Sequence, residues 1–332
     1  MELLQLRPEG IYCPLGDFYI DPWQPVPYAL ITHAHADHAR PGHRLYVAHK
    51  KTAPILRLRL GENILVQEVE YGERLLHNGV EVSFHPAGHV IGSAQIRVAY
   101  RGQVWVVSGD FKIEHDGISS PFEPLRCHTF VTESTFGLPV FGWKPQHEIF
   151  QAINRWWHQN RVEGLISVLF GYSLGKAQRI LCGVDSSIGQ IYVHGAVANI
   201  NQVLEGIGFS LPSWKHVQTN MKRKDLEGSL VLAPLSAVNT PWLNRFQPCS
   251  IAMASGWMQL RGNKRRQALD CGFVLSDHAD WKGLLSAVSA TGAERVLVTH
   301  GYAYAFSRYL QEKGIEAQAI ETHFEGESPT SE

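Results

Sequence analysis

The segment Thr32-His33-Ala34-His35-Ala36-Asp37-His38 sets three imidazoles and a carboxylate within six consecutive positions. Neutral ring nitrogens and carboxylate oxygens suit a borderline cation such as zinc, at about 2.0–2.2 Å. The small residues Ala34 and Ala36 let the backbone between the ligands fold tightly. Two further donors each stand beside a glycine, Gly88-His89 and Gly109-Asp110, where a glycine permits a tight turn at a strand end. Alone, a Gly-His pair carries little and a Gly-Asp pair is more often a plain turn. Together with the first cluster they supply enough nitrogen and oxygen for two metal ions, with the Asp110 carboxylate able to bridge them around one hydroxide.

These residues need strand ends to hold them. Short β-branched or aromatic runs at Tyr28 to Thr32, Val80 to Phe84, Ile96 to Tyr100, Val104 to Ser108 and Thr129 to Thr132 are bounded mostly by Gly, Pro or Asp, which predicts strands. The histidine-rich segment, His89 and Asp110 each follow one of them. A helix is predicted from Pro145 to Asn160, with Ile149, Ile153 and Trp156/Trp157 on one face. From about 165 to 275, strands Leu165 to Phe170, Gln190 to Val193 and Ser229 to Ala233 alternate with helical segments, the rhythm of a parallel α/β unit. A strand from Arg295 to Thr299 and a helix from Ala303 to Lys313 follow, and 325–332 reads as a short acidic, disordered tail. No internal repeat is visible.

The His33–His38 segment with the Gly88-His89 and Gly109-Asp110 turns resembles the metallo-β-lactamase fold. Asp21, closing Phe18-Tyr19-Ile20-Asp21, matches that fold's first motif, an aspartate that orients metal ligands. Val131-Thr132-Glu133-Ser134-Thr135 resembles the acidic motif of the β-CASP nucleases, Leu275-Ser276-Asp277-His278-Ala279-Asp280 their second motif, and Val298-Thr299-His300-Gly301 their third. The resemblance implies an αββα metallo-β-lactamase sandwich with an inserted β-CASP α/β domain. Its parts would be 1–138 and 274–325 for the sandwich, 139–273 for the insert and 326–332 for the tail. A closer likeness, over nearly the whole chain, is to the bacterial ligase-associated DNA exonucleases. It is carried by Gly171 to Arg179, Ala254 to Met258, Gly272 to Trp281 and Gly292 to Val296.

That likeness implies one ion on His33, His35 and His89, another on Asp37, His38 and His300, and Asp110 bridging. The ions are expected to be zinc, with manganese the alternative. The catalytic set is His278, Glu133, Asp37 and Asp21: His278 serves as general acid or phosphate clamp, with Glu133 fixing its tautomer. The reaction expected is hydrolysis of nucleic-acid phosphodiesters, as a DNA exonuclease in repair, in functional association with an ATP-dependent DNA ligase and a helicase. His300 pulls the other way: DNA-cutting crosslink-repair relatives carry valine there and RNA-cutting relatives histidine, so an RNA-processing nuclease is the alternative. A small-molecule ester or thioester hydrolase fits less well, since such substrates need no long groove. A non-catalytic binding protein fits poorly too, because the ligand set has no gap.

For substrate contacts, Gly171, Ser173, Gly175 and Lys176 form a glycine-rich turn that could cradle a phosphate. Arg179 and Arg261 add charge, and Ser255 and Trp257 lie in the Ala254–Met258 segment. Trp257 and Trp281 could stack on unpaired bases; core packing is the ordinary alternative. His43, His49, His77, His147, His158, His216 and His323 read as exposed imidazoles, and His194 as a loop or core residue that could meet substrate.

Composition bounds these readings. Lys and Arg number 30 against 31 Asp and Glu, a net charge of −1, so any polyanion contact must be local. A hydrophobic fraction of 44% with 18% charged residues excludes a disordered chain. The 5 cysteines include no CxxC pair, which argues against a disulfide scaffold or thiolate zinc site and for a reduced, cytoplasmic protein. No signal peptide or membrane contact is expected: the first residues show no basic-then-apolar pattern, and no apolar run nears the ~18 residues of a membrane helix.

Overall fold

A computed structural model describes residues 2–238, 240–260, 262 and 269–324; the predicted tail lies outside them. The fold is mixed α/β with three sheets among the described residues. The chain divides into two compact units. The described residues of one lie within 2–142 and 278–324, and those of the other within 143–277.

The first unit contains two sheets. One has the order β1 (Gln5–Arg7), β2 (Gly10–Cys13), β3 (Phe18–Ile20), β4 (Tyr28–Ile31), β5 (Leu45–His49), β6 (Val66–Val69). The other contains β7 (Arg74–His77), β8 (Val80–Pro86), β9 (Ala94–Tyr100), β10 (Gln103–Val107), β11 (Thr129–Ser134), β18 (Arg295–Gly301) and β19 (Glu316–Ala319), in the order β19-β18-β11-β10-β9-β8-β7. Side chains alternate between faces along each strand. Trp105 and Val107 of β10, Val131 of β11 and Leu297 of β18 join Ile20, Leu30 and Val47 in a core between the sheets. Their neighbours Val106, Phe130, Val296 and Val298 face the other way, onto Leu284, Ala287, Phe306 and Leu310 of the helices Trp281–Thr291 and Ala303–Glu312.

The second unit is built on one sheet of six strands in the order β14-β13-β15-β12-β16-β17, every pairing parallel. These are β12 (Ile166–Phe170), β13 (Ile191–Val193), β14 (Lys215–His216), β15 (Leu230–Ala233), β16 (Cys249–Ala254) and β17 (Cys271–Phe273). Both faces are covered: Leu169, Leu230 and Leu232 enter one core, Val168, Phe170 and Val231 the other. That is the usual state of a parallel sheet with helical crossovers.

The predicted strands are found within two residues of their expected ends, and the helix forms over Gln146–Val162 with Pro145 as its N-cap. β16 escapes prediction because Cys-Ser-Ile-Ala-Met-Ala is buried by position rather than marked by a β-branched run. The helix Trp281–Thr291 is bounded by Asp280, whose carboxylate accepts the Gly283 N–H at 2.8 Å, and by left-handed Gly292.

Trp157 is fully buried in the second unit and donates its indole N–H to the Gly228 carbonyl at 3.1 Å. Trp157→Ala is expected to remove about 3–5 kcal/mol of stability, read as a lower urea midpoint by a probe of this unit.

Candidate metal centre

Strand direction brings the sequence-predicted ligands together. β3, β4 and β5 run parallel, as do β10, β11 and β18; β8 is antiparallel to β9, and β9 to β10, so β8 runs with β10. Asp21 follows β3, the His33–His38 segment follows β4, His89 follows β8 and Asp110 follows β10; Glu133 and His300 lie near the ends of β11 and β18. All are therefore delivered at C-terminal strand ends, where open α/β sheets place their ligands. The turn into Asp110 requires glycine: Gly109 has φ +56°, and a Cβ there would lie 2.7 Å from the Thr32 side chain.

Three donor sets, all sharing Asp110, form among the described residues. His33, His35, His89 and Asp110 bring ligand atoms within 4.8 Å of one another, and so do His38, Asp110 and His300, and Asp110, Glu133 and His278. In the first set His33 Nε2 and His89 Nε2 lie 3.1 and 3.0 Å from His35 Nδ1, and 3.5 and 3.7 Å from Asp110 Oδ2. A tetrahedral ion at about 2.0–2.1 Å from each donor sets donor–donor edges of about 3.3 Å, so the spacing matches. In the second set Asp110 Oδ1 lies 3.5 Å from His38 Nε2 and 3.0 Å from His300 Nε2, with Asp37 Oδ2 3.6 Å from His38 Nε2. Each oxygen of Asp110 thus faces a different set.

The second set tests whether cations fit. His38 Nε2, Asp110 Oδ1 and His300 Nε2 are buried and make no well-formed hydrogen bond, although His300 Nε2 and Asp110 Oδ1 lie 3.0 Å apart. An unsatisfied buried polar atom costs about 1–3 kcal/mol; three aimed at a common point become favourable with a cation among them.

His38 is turned towards this point by Asp21. The Asp21 carboxylate accepts the Thr32 N–H at 2.7 Å and the Thr32 hydroxyl at 2.5 Å, and lies 2.8 Å from His38 Nδ1. With Nδ1 given to Asp21, Nε2 is the nitrogen that would take a metal in place of a proton. Electrostatics follow from the crowding. Burial, reinforced by His38, pushes His33 well below its ordinary value. Burial also opposes a charge on His38, but Asp110 and Asp37 outweigh it and raise that imidazole well above its ordinary value. Burial disfavours the Asp110 carboxylate, yet His38 and His278 hold it well below the usual range.

His278 stands beside the first set, its ring 4.6 Å from that of His89. Its Nδ1 lies 2.9 Å from both oxygens of Glu133. Glu133 is itself fixed, accepting the N–H groups of Phe111 at 2.8 Å and Thr135 at 3.3 Å.

The expected substrate contacts look different. Lys176 is fully buried with Nζ 3.4 Å from Asp277, not facing solvent as a phosphate contact would. The Gly175 N–H donates to Gln178 Oε1 at 2.7 Å, and Gln178 also donates to the Ser173 carbonyl at 3.0 Å, so one side chain of the helix Lys176–Gly183 bonds to two groups of the turn. The nearby Gly171 lies against the Lys176 side chain. Arg179 is buried against Asp277 at 3.1 Å. The Ser255 hydroxyl caps the turn Gly256–Gln259 by accepting the half-buried Trp257's N–H at 3.2 Å. Trp281 packs edge-on to Phe306 and Tyr309, a core role. Arg261 lies outside the described residues.

His43 and His49 are not the exposed imidazoles expected. Both are buried, and burial pushes each down to about 4. His49 stacks on Tyr71 with centroids 3.7 Å apart, and His43 Nδ1 accepts the Val26 N–H at 3.3 Å. His194 is an N-cap, its Nδ1 accepting the Ala196 N–H at 3.1 Å. Thr32, missed in the sequence, locks Asp21; no local spacing marks it.

The chain is similar over 94% of its length, at 31% identity, to a probable DNA ligase of Opitutus terrae, of which it spans 30%. It is 24% identical to an RNase J-like protein of Methanocaldococcus jannaschii, over 70% of this chain and 61% of that one. Over 36% of its length it is 28% identical to cleavage and polyadenylation specificity factor subunit 3 of Dictyostelium discoideum, of which it spans 16%. No family model matches. A solved structure of a protein of unknown function from Enterococcus faecalis V583 shares the fold at TM-score 0.60 and 13% identity, over 90% of this chain and 80% of that one. Among the described residues no helix is long and apolar enough to cross a membrane.

Asp21→Asn keeps the shape but weakens the acceptor that turns His38. It is expected to lower divalent-metal affinity about 10–100-fold, measured by chelator competition; unchanged affinity would show that Asp21 does not orient a ligand.

Proposed function

We propose that this chain is a metal-dependent nuclease of the metallo-β-lactamase/β-CASP type that trims DNA ends during repair. The carrying observation is a pair of donor sets sharing Asp110, one with three buried ligand atoms that make no well-formed hydrogen bond. On this reading the first unit is the αββα domain and Trp143–Asp277 the inserted β-CASP domain. His33, His35 and His89 would hold one ion and Asp37, His38 and His300 the other, with Asp110 between them. Nitrogen-rich donors favour zinc, and manganese also suits such a site.

Two divalent ions in these positions would acidify water and neutralise charge on the phosphate. The chain's own residues supply the rest. Glu133 lies against Nδ1 of His278 and is anchored by two backbone N–H groups, so an imidazolium there, with Nδ1–H given to Glu133, would present Nε2–H as the proton to be given up. The proton goes to the departing oxygen, which would otherwise leave as an alkoxide. Asp21 and Thr32 keep His38 in one orientation throughout.

The DNA assignment is supported by the relative named as a DNA ligase, whose similarity extends over 94% of this chain. It also motivates functional association with a ligase, and more distantly a helicase, in the cytoplasm. RNA cleavage is the second reading, favoured by the endoribonuclease and RNase J-like names among the relatives and by histidine at position 300.

Matched strands of DNA and RNA, labelled at either end, separate the readings when digested with a zinc and manganese series. DNA is expected to be shortened progressively and faster than RNA; faster RNA cleavage would overturn the DNA assignment. Asp37→Ala combined with His38→Ala should abolish cleavage with the fold retained by circular dichroism, and unchanged cleavage would refute the two-ion site. His278→Ala should lower kcat about 10²–10⁴-fold while leaving two ions bound; an unaltered kcat would remove His278 from the chemistry.

A further inference from the structure

The last described residues return to the candidate centre. After β19, Ile320 donates its N–H to the Val298 carbonyl at 2.8 Å, and Ile320 and Phe324 pack against the core between the two sheets. The His323 carbonyl accepts from Arg40 at 3.3 Å. Trp23 lies 4.9 Å from the His323 ring and edge-on to Phe324 at 5.7 Å. This segment is therefore tied down by the loop that carries the ligands and by the turn after β3.

Phe324 ends in a specific arrangement. Its ring lies flat on the His38 imidazole, centroids 4.4 Å apart and planes 4° from parallel. It meets the His300 imidazole edge-on at 5.6 Å and 74°. His38 and His300 come from different sheets and belong to the same donor set, the one whose Nε2 atoms make no well-formed hydrogen bond. The His38 ring also lies 4.3 Å, tilted, from that of His33, and its Nδ1 lies 2.8 Å from Asp21.

A buried imidazole held at one nitrogen can still rotate about that hydrogen bond. A flat aromatic ring against its face removes the rotation and excludes water that would compete for Nε2. We propose that Phe324 is a positioning residue for the second cation: it fixes the ring planes of His38 and His300 so that their Nε2 atoms converge on Asp110 Oδ1. This rests on the two-ion reading above. The two imidazoles that Phe324 meets at the centre, His38 and His300, both belong to the second set, so the inference concerns that ion.

The test uses the full chain with zinc alone and a chromophoric chelator, counting ions retained as chelator is raised. Wild type should retain two ions. F324A should keep the first but release the second at about 10–100-fold lower chelator, the range typical of groups that orient metal ligands. F324Y, which restores the ring, should match wild type. F324L restores apolar bulk without a flat face and should stay with F324A. If F324L also matches wild type, Phe324 only fills space and the inference is overturned; the same holds if F324A retains both ions unchanged. Should F324A not fold, the comparison of F324L with F324Y decides. A wild-type chain that binds fewer than two ions defeats the two-ion reading and this inference with it.

Discussion

Four histidine nitrogens converge on one buried carboxylate. Asp110 lies 3.0 to 3.7 Å from donors of His33, His38, His89 and His300, and is almost wholly buried. A carboxylate in such a place is prohibitive unless charge and donors surround it, and the same surroundings hold it ionised. The imidazoles arrive from the ends of three strands, β4, β8 and β18, in two different sheets. The core between the sheets must therefore set their spacing to within fractions of an ångström.

That demand explains the packing. Trp105 and Val107 point into the inter-sheet core while Val106 points to the helices, so β10 is held on both faces just before it releases Asp110. Its register against β11, Val107 opposite Val131, places Glu133 beyond the same strand end. A slip of one residue would send every side chain to the wrong face and carry Asp110 away from the histidines. Close-packed cores resist such shifts, which suits a centre whose donors need fixed distances.

How legible this was in the sequence depended on how local the signal was. The His33–His38 segment could be read because its donors are neighbours in the chain, and the strands before it carry β-branched runs. His89 and Asp110 gained meaning only beside it, since each alone is an ordinary turn. Thr32 and Phe324 carry no such mark: only tertiary contacts with Asp21 and His38 bring them to the centre. Lys176 misled for the opposite reason. A lysine after a glycine-rich turn suggests a phosphate contact, but its ammonium is buried against Asp277, a carboxylate about a hundred residues later that no local pattern could pair with it. His43 and His49 misled because polar neighbours suggested exposure while Tyr46 and Tyr71 cover them.

The near-neutral charge of the chain takes on a sharper meaning at the centre. Asp21, Asp37, Asp110 and Glu133 put four carboxylates around one small space, and at neutral pH the buried imidazoles there do not all carry charge, since His33 is held well below its ordinary value. Such a space repels a phosphate on its own account. On the nuclease reading, two divalent ions would add about four positive charges, offsetting the four carboxylates and leaving the ions themselves to meet the phosphate. Metal loading and polyanion binding would then be one coupled event rather than two independent ones. A chain of net charge −1 needs no general cationic surface for this, because the attraction is created at the centre and falls off within about 10 Å in salt.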